Sequence, residues 1–222
     1  MPVTFPNESP KYRTEHNKLL EAELALRREL EALAAQRRKL PLGGEVPQDY
    51  AFVGERGSVR MAQLFERGAT LVAYSFMFSP QMKNACPMCT SFLDGLDGSA
   101  RHINQRTNLV VIASSPIERI AEFARSRGWR HLRLLSSAGT TYNRDYHGEN
   151  EKGAQLPVMN VFVKKDGKVR HFYGSEVRYA PEKKGQNARH NDLMWPLWNV
   201  LDLTPEGRGS DWYPKLEYSE RA

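Results

Sequence analysis

The chain of 222 residues contains two cysteines, Cys86 and Cys89, and they stand three positions apart. Two cysteines placed at random would fall at that spacing only about 1% of the time, so the pair reads as a unit. Thiol–disulfide exchange needs a thiolate that attacks and a second thiol near enough to close the ring afterwards. A Cys-x-x-Cys at a helix start supplies both. The unpaired N–H groups and the positive dipole end favour negative charge on Cys86, and Cys89 falls one turn later on the buried side. Pro87 suits a first turn because it has no N–H to lose, and Lys83 adds positive charge just upstream. Two other readings compete: a pair of small buried hydrophobes, and a metal site. Structural zinc wants four ligands. No second cysteine pair exists and His16, His102, His131, His147, His171 and His190 are scattered, so neither a metal nor any other cofactor is expected.

The elements around the pair agree with that placement. Leu71–Phe78 is an apolar, aromatic-rich run bounded by Gly68 and Pro80, as for a buried strand. Beyond the thiols, Cys89, Phe92, Leu93, Leu96, Ala100 and Ile103 recur at helical spacing, which outweighs Gly95 and Gly98, each costing about 1 kcal/mol. The cysteines therefore sit where a strand hands over to a helix. Asn108–Ser114 is the next strand; Ser115, Pro116 and Glu118 predict an N-cap, a first-turn proline and the return partner of a capping box, for a helix ending at Gly128. Leu132–Leu135 is a short third strand, and Ser136–Gln155 reads as a polar surface excursion. Val158–Val163 and Lys168–Tyr173 flank an Asp166-Gly167 turn, the signature of a hairpin. A last apolar segment covers Leu193–Leu203.

Upstream, Leu19, Ala22, Glu23, Leu26, Leu30 and Leu33 recur at helical spacing on one long helix over Thr14–Lys39, with only Glu23 polar on that face. Leu20 and Leu24 widen the stripe, so it is expected to dock on the protein's own body or on a second subunit as a homodimer. Pro41, Gly43, Gly44 and Pro47 end it, so residues 1–48 form an extension and 49–222 the compact domain. The order of elements describes an α/β protein, a mixed sheet flanked by helices. The charge of +6, from 32 Lys and Arg against 26 Asp and Glu, is spread along the chain. Arg27-Arg28, Arg37-Arg38-Lys39 and Lys183-Lys184 are not interleaved with aromatics, so no nucleic-acid partner is expected. No run is long and apolar enough for a membrane span, and the start lacks a secretory leader, so a cytoplasmic location is expected.

A CxxC after the first core strand, with Leu156-Pro157-Val158 far downstream opening a strand that runs into a Lys-Asp-Gly hairpin, resembles the thioredoxin superfamily. The resemblance implies a thioredoxin-like sheet and a cis Pro157 lying against the dithiol. More closely, Tyr74–Phe78, Cys86-Pro-Met-Cys89, Arg125–Trp129, Tyr142-Asn143 with Asp145–His147, and Asn199–Gly207 resemble a bacterial thioredoxin-like family, domain of unknown function 899. That likeness covers almost the whole chain and implies the fold and the dithiol, not a substrate.

The pattern departs from thioredoxins proper at two points. Ala85, not Trp, precedes the first cysteine, and no Asp or Glu occurs from Gly68 through Cys89 to relay a proton from the second thiol. A peroxiredoxin motif would need Pro at Ser79 and Thr at Lys83, which ranks thiol peroxidase lower. The expected activity is that of a thiol–disulfide oxidoreductase acting on a protein or small thiol or disulfide. Cys86 would attack, Cys89 would resolve, Pro157 would complete the site, and Pro87, Met88 and Leu156 would meet the substrate. A non-catalytic interaction or redox-sensing module of the same fold is the rival. His102, Tyr142, Asp145 and His147 are polar residues in segments able to fold over the dithiol, and Trp195, Trp198 and Trp212 read as core or docking residues.

Overall fold

The central strands are continuous apolar runs because both faces of the sheet are covered. In β3 (Thr70–Ser75) and β4 (Asn108–Ala113) side chains alternate between two cores, and every residue of β4 is buried. A computed structural model of the chain describes residues 3–181, 184, 193–209 and 211–218; Lys183 and His190 lie outside the described residues. It divides into two compact units, Met1–Pro41 and Leu42–Ala222. The first holds α1 (Pro10–Arg38), which starts where Ser9 Oγ accepts the Tyr12 N–H and Pro10 fills the first turn.

The second unit carries a seven-stranded mixed sheet in the order β2-β1-β5-β4-β3-β6-β7. Strands β3, β4 and β5 (Arg133–Ser136) are parallel, linked by α2 (Pro87–Ile103) and α3 (Ile117–Arg127). Antiparallel to β3 runs β6 (Val158–Lys165), which turns back into β7 (Lys168–Gly174). Asp166 and Gly167 both take positive φ, 52° and 77°, as the tight turn between them requires. This β3-α2-β4 unit beside a β6–β7 hairpin is the thioredoxin-like arrangement, an α/β mixed sheet with helices. The chain from Gly43 already pairs along β7, through the Gly43 N–H to the His171 carbonyl and the Val46 N–H to the Val169 carbonyl.

One pair of strands was not anticipated, and two expectations are corrected. A hairpin of β1 (Ala51–Gly54) and β2 (Gly57–Arg60) extends the sheet edge, where the sequence offered only four-residue strands without a hydrophobic alternation. Pro116, not Ser115, is the N-cap of α3, without a side-chain cap; the Ser115 hydroxyl is buried and taken by Arg119 instead. The 136–155 stretch is not a surface excursion throughout. It contains α4 (Tyr142–Asp145), whose Tyr142 is fully buried and packs edge-on against Phe52 and Tyr50.

The two cores differ in kind. On one face α2, α3 and α5 (Pro196–Leu201) cover Tyr74, Val111, Leu134 and Met159. On the other, Tyr50 just ahead of β1, Phe52 on β1 and Tyr142 on α4 pack with Leu71, Ile112 and Phe162. Trp195 and Trp198 belong to the first core, while Trp212 lies at its rim against Trp198.

Helix α2 is fastened to the turn after α3 by its own acids. Asp97 is buried, and its carboxylate accepts the backbone N–H groups of Arg130, His131 and Leu132 at 2.8–3.2 Å. One turn earlier, Asp94 accepts the Trp129 indole N–H at 2.7 Å and pairs with Arg127 at 2.5 Å. Asp97→Ala leaves three backbone donors without this acceptor. It is expected to destabilise the fold by about 3 kcal/mol, and to lower Tm by roughly 10 °C, in thermal or denaturant unfolding.

Candidate dithiol site

Strand β3 delivers the chain to the site and the chain then leaves the sheet without breaking the ladder at once. The Phe76 N–H still donates to the Ile112 carbonyl at 2.8 Å and the Ser115 N–H to the Phe78 carbonyl at 3.0 Å. The loop then doubles back, and the Cys86 N–H donates to the Met77 carbonyl at 3.2 Å. That bond fixes where α2 begins. Cys86 is the N-cap residue, extended at φ −63° and ψ 120°, with Pro87 in the first turn.

The two thiols are placed asymmetrically. No disulfide joins them. Cys86 is half-buried, and its Sγ accepts the Cys89 backbone N–H at 3.4 Å, so the sulfur occupies the capping position normally taken by a hydroxyl or carboxylate oxygen. Cys89 is only 2% exposed, packed within the helical core. Its thiol is pushed well above the ordinary range, first by its hydrogen bond to Cys86 and then by burial, while hydrogen bonds from the Tyr74 hydroxyl and the Met77 backbone act in the opposite direction.

Arg119 on α3 builds the loop ahead of the thiols. Its guanidinium donates to the carbonyls of Ser79 at 2.9 Å, Met82 at 2.5 Å and Lys83 at 3.0 Å, and lies 4.3 Å from the centre of the Phe78 ring. One planar fork satisfies several backbone acceptors that a tight loop would otherwise expose. The Lys83 side chain, expected to supply the local positive charge, is exposed, and the cation that organises this loop is Arg119. Nothing in the spacing of Arg119 announces this role, because its partners are carbonyls of distant residues.

Pro157 directly precedes β6, and its neighbour Val158 pairs with Ser75, the last residue of β3. Leu156 and Pro157 therefore stand at the end of the sheet from which the dithiol loop departs. The expected cis geometry is corrected: no cis peptide bond occurs among the described residues, so the Leu156–Pro157 bond is trans. The Leu156 N–H is held by the Gly148 carbonyl at 2.9 Å, and this tie to the preceding excursion sets how the chain enters β6.

Of the other polar candidates, none is among the groups acting on Cys89. His102 lies in the last turn of α2, far along the helix from its capping cysteine. Tyr142 is in the opposite core, and Asp145 accepts the Tyr50 hydroxyl at 2.8 Å. His147, at a positive φ of 57°, lines a cavity of about 350 Å³ with His171, whose ring contacts Asn160 Oδ1 at 3.0 Å and whose pKa is lowered by burial. A larger crevice of about 790 Å³ opens beside Met77 and Ser79, between the dithiol loop and the 137–155 stretch. Among the described residues no cluster of three or more histidines, cysteines or acids is placed to hold a metal ion, and no helix is long and apolar enough to cross a membrane.

The Arg119 fan predicts a local effect. Arg119→Met removes the donors while keeping much of the stem, and backbone amides of residues 79–86 are expected to exchange with deuterium at least tenfold faster, with the central strands unchanged. Exchange that stays as slow as in the unmutated protein would show that other contacts hold the loop.

Solved structures with related architecture are distant. The exposed lipoprotein thioredoxin Etrx1 of Streptococcus pneumoniae strain TIGR4 aligns over 57% of this chain and 87% of its own, at 12% identity and TM-score 0.42. The peroxidoxin BcpB of Mycobacterium tuberculosis aligns over 59% and 82%, at 21% identity and TM-score 0.44. Thioredoxin peroxidase I of Plasmodium yoelii aligns over 73% and 91%, at 15% identity and TM-score 0.44. No curated protein matches the sequence. The pattern of a bacterial protein family of unknown function, DUF899, does match it, over residues 2–219, and this thioredoxin-like chain belongs to that family.

Proposed function

We infer that the protein is a thiol–disulfide oxidoreductase. The observation that carries the reading is the asymmetry of the pair: a half-buried sulfur capping a helix start, and one turn on a thiol that is buried in the helical core. An idle pair of core cysteines has no need of such a division, because both would be buried alike.

The reaction follows from the placement. The Cys86 thiolate attacks one sulfur of a substrate disulfide; a Cys86–substrate disulfide forms and the other half leaves as a thiolate, which takes a proton from solvent. Cys89 then attacks Cys86 Sγ, the mixed disulfide breaks, the second half leaves as a thiolate, and a Cys86–Cys89 disulfide remains. The protein is oxidised by two electrons and the substrate disulfide becomes two thiols; the reverse sequence delivers a disulfide. Pro87 and Met88, between the sulfurs, and Leu156 with Pro157, at the neighbouring strand start, are the contacts we assign to the substrate, a protein or small thiol or disulfide. The chemistry asks for no cofactor and suits a reducing compartment such as the cytoplasm.

In the reduced protein near neutral pH, iodoacetamide is expected to label Cys86 at least tenfold faster than Cys89, read by peptide mass spectrometry. Cys86→Ser should abolish exchange with a model disulfide, and Cys89→Ser should trap mixed disulfides visible as added mass. Equal, slow labelling of both thiols with no exchange in the unmutated protein would leave only a non-catalytic module of this fold.

A further inference from the structure

The crevice of about 790 Å³ between the dithiol loop and the 137–155 stretch has no part in the exchange as described so far, yet it opens beside it. Met77, whose carbonyl accepts the Cys86 N–H at 3.2 Å, lines one wall. Gln155, directly before Leu156 and Pro157, lines the other. A substrate sulfur at Cys86 would thus have the rest of its molecule next to this space.

Two polar side chains of the lining are almost buried and unspent. Ser79 is 6% exposed; its carbonyl is taken by Arg119 and by the Met82 N–H, but its hydroxyl has no hydrogen-bond partner among the described residues. Asn143, on the facing wall, is 6% exposed, and its Oδ1 is buried without a partner. Polar groups buried this deeply are nearly always paired in a native protein, so two in one crevice point to a ligand. The charges agree. Arg144, Lys152 and Glu149 are the charged residues of the lining. Glu149 accepts the Gln155 amide at 3.0 Å, and Gln155 accepts the Ser114 hydroxyl at 3.1 Å. The Arg144 and Lys152 side chains are exposed and have neither an ion pair nor a hydrogen bond among the described residues.

We propose that this crevice is the substrate pocket of the dithiol and takes the carboxylate-bearing end of a small peptide-like disulfide, of the size and charge of glutathione disulfide. The assignment rests on the oxidoreductase reading and narrows its substrate class.

Size and lining both select this class. The volume lies within the range of small-molecule sites, about 300–1,000 Å³, and a concave space suits a ligand held on two sides better than the broad face of a folded partner. Apolar ligands want an apolar lining. Here the groups on offer are the hydroxyl of Ser79 and the amides of Gln81, Asn143 and Gln155, which a peptide-like molecule can answer with its own amides. Its carboxylates pair with Arg144 and Lys152 in charge-assisted bonds, which are the strong ones. Its ammonium group matches Glu149.

Binding is separated from exchange in the Cys86→Ser/Cys89→Ser protein, which cannot form a mixed disulfide. Glutathione disulfide titrated into it is expected to shift the backbone amides of residues 77–82 and 138–155 in ¹⁵N-labelled spectra. Adding Arg144→Gln and Lys152→Gln, two exposed positions, should raise the Kd about tenfold, and Ser79→Ala about threefold. With both cysteines in place, the ratio of kcat/KM for glutathione disulfide to that for cystamine, which carries amines and no carboxylate, should fall at least tenfold on the Arg144→Gln/Lys152→Gln substitution. Shifts confined to other residues, or a Kd that none of these substitutions moves, would overturn the assignment. So would an uncharged peptide disulfide that binds the same residues more tightly than glutathione disulfide, since the crevice would then serve a protein segment. The two readings fail separately: exchange without binding in the serine variant removes the pocket alone, whereas no exchange in the unmutated protein removes the oxidoreductase reading and the substrate role of the pocket with it.

Discussion

The backbone N–H of Cys89 pointing at the sulfur of Cys86 is the contact on which the site turns. A helix start must satisfy its leading N–H groups, and here it does so with a soft, ionisable atom instead of an oxygen. The sulfur completes the helix, and in the exchange proposed above the same contact would favour charge on that sulfur. The arrangement works only if the first turn of α2 is held at the exit of β3, and three separate devices hold it. Cys86 is tied to Met77, Asp94 and Asp97 bind the turn after α3, and Pro196 presses to within 3.6 Å of where a side chain on Gly95 would begin.

The two faces of the sheet are covered by different means, and that division bears on the site. The face holding the thiols is packed by helices with long apolar side chains, which gives Cys89 a dry setting. The opposite face is closed by Tyr50 and Phe52 at the edge hairpin and by Tyr142 on one turn of helix. Tyr50 there reaches Asp145, and burial together with this bond holds its phenol far above the ordinary range. Gly148 sits where an added Cβ would lie 2.8 Å from Ser75 Oγ, so the irregular chain packs tightly onto the end of β3. The backbone around the dithiol is thus supported from below as well as from the helical side.

Much of this was legible from residue types alone because the signals are local. The period of Phe92, Leu93, Leu96 and Ala100, the continuous apolar runs of β3 and β4, and the Asp166-Gly167 turn each depend on near neighbours in sequence. So does the position of the thiols at a strand-to-helix junction. What escaped depends on distant partners. The β1–β2 hairpin is short and gains its place from the sheet edge; Tyr142 is polar enough to read as surface yet is drawn inward by Phe52 and Tyr50. Ser115 has the right type for an N-cap, but its burial and Arg119 claim the hydroxyl first. Arg119 gave no sign of its role because it meets carbonyls that only folding brings near.

The contact of α5 with α2 carries a consequence for how the protein is made. Phe92 meets Trp195, and Trp195 stacks edge-on with Trp198, so the core beneath the dithiol helix is completed by residues from near the end of the described chain. A ribosome delivers α2 long before those tryptophans. Until they arrive, the nascent sheet can form its central strands while the helix that bears both cysteines lacks part of its apolar cover. The protected state of the second thiol is therefore a property of the finished chain, and the interval before completion is when both sulfurs are most exposed to oxidation or to unwanted partners.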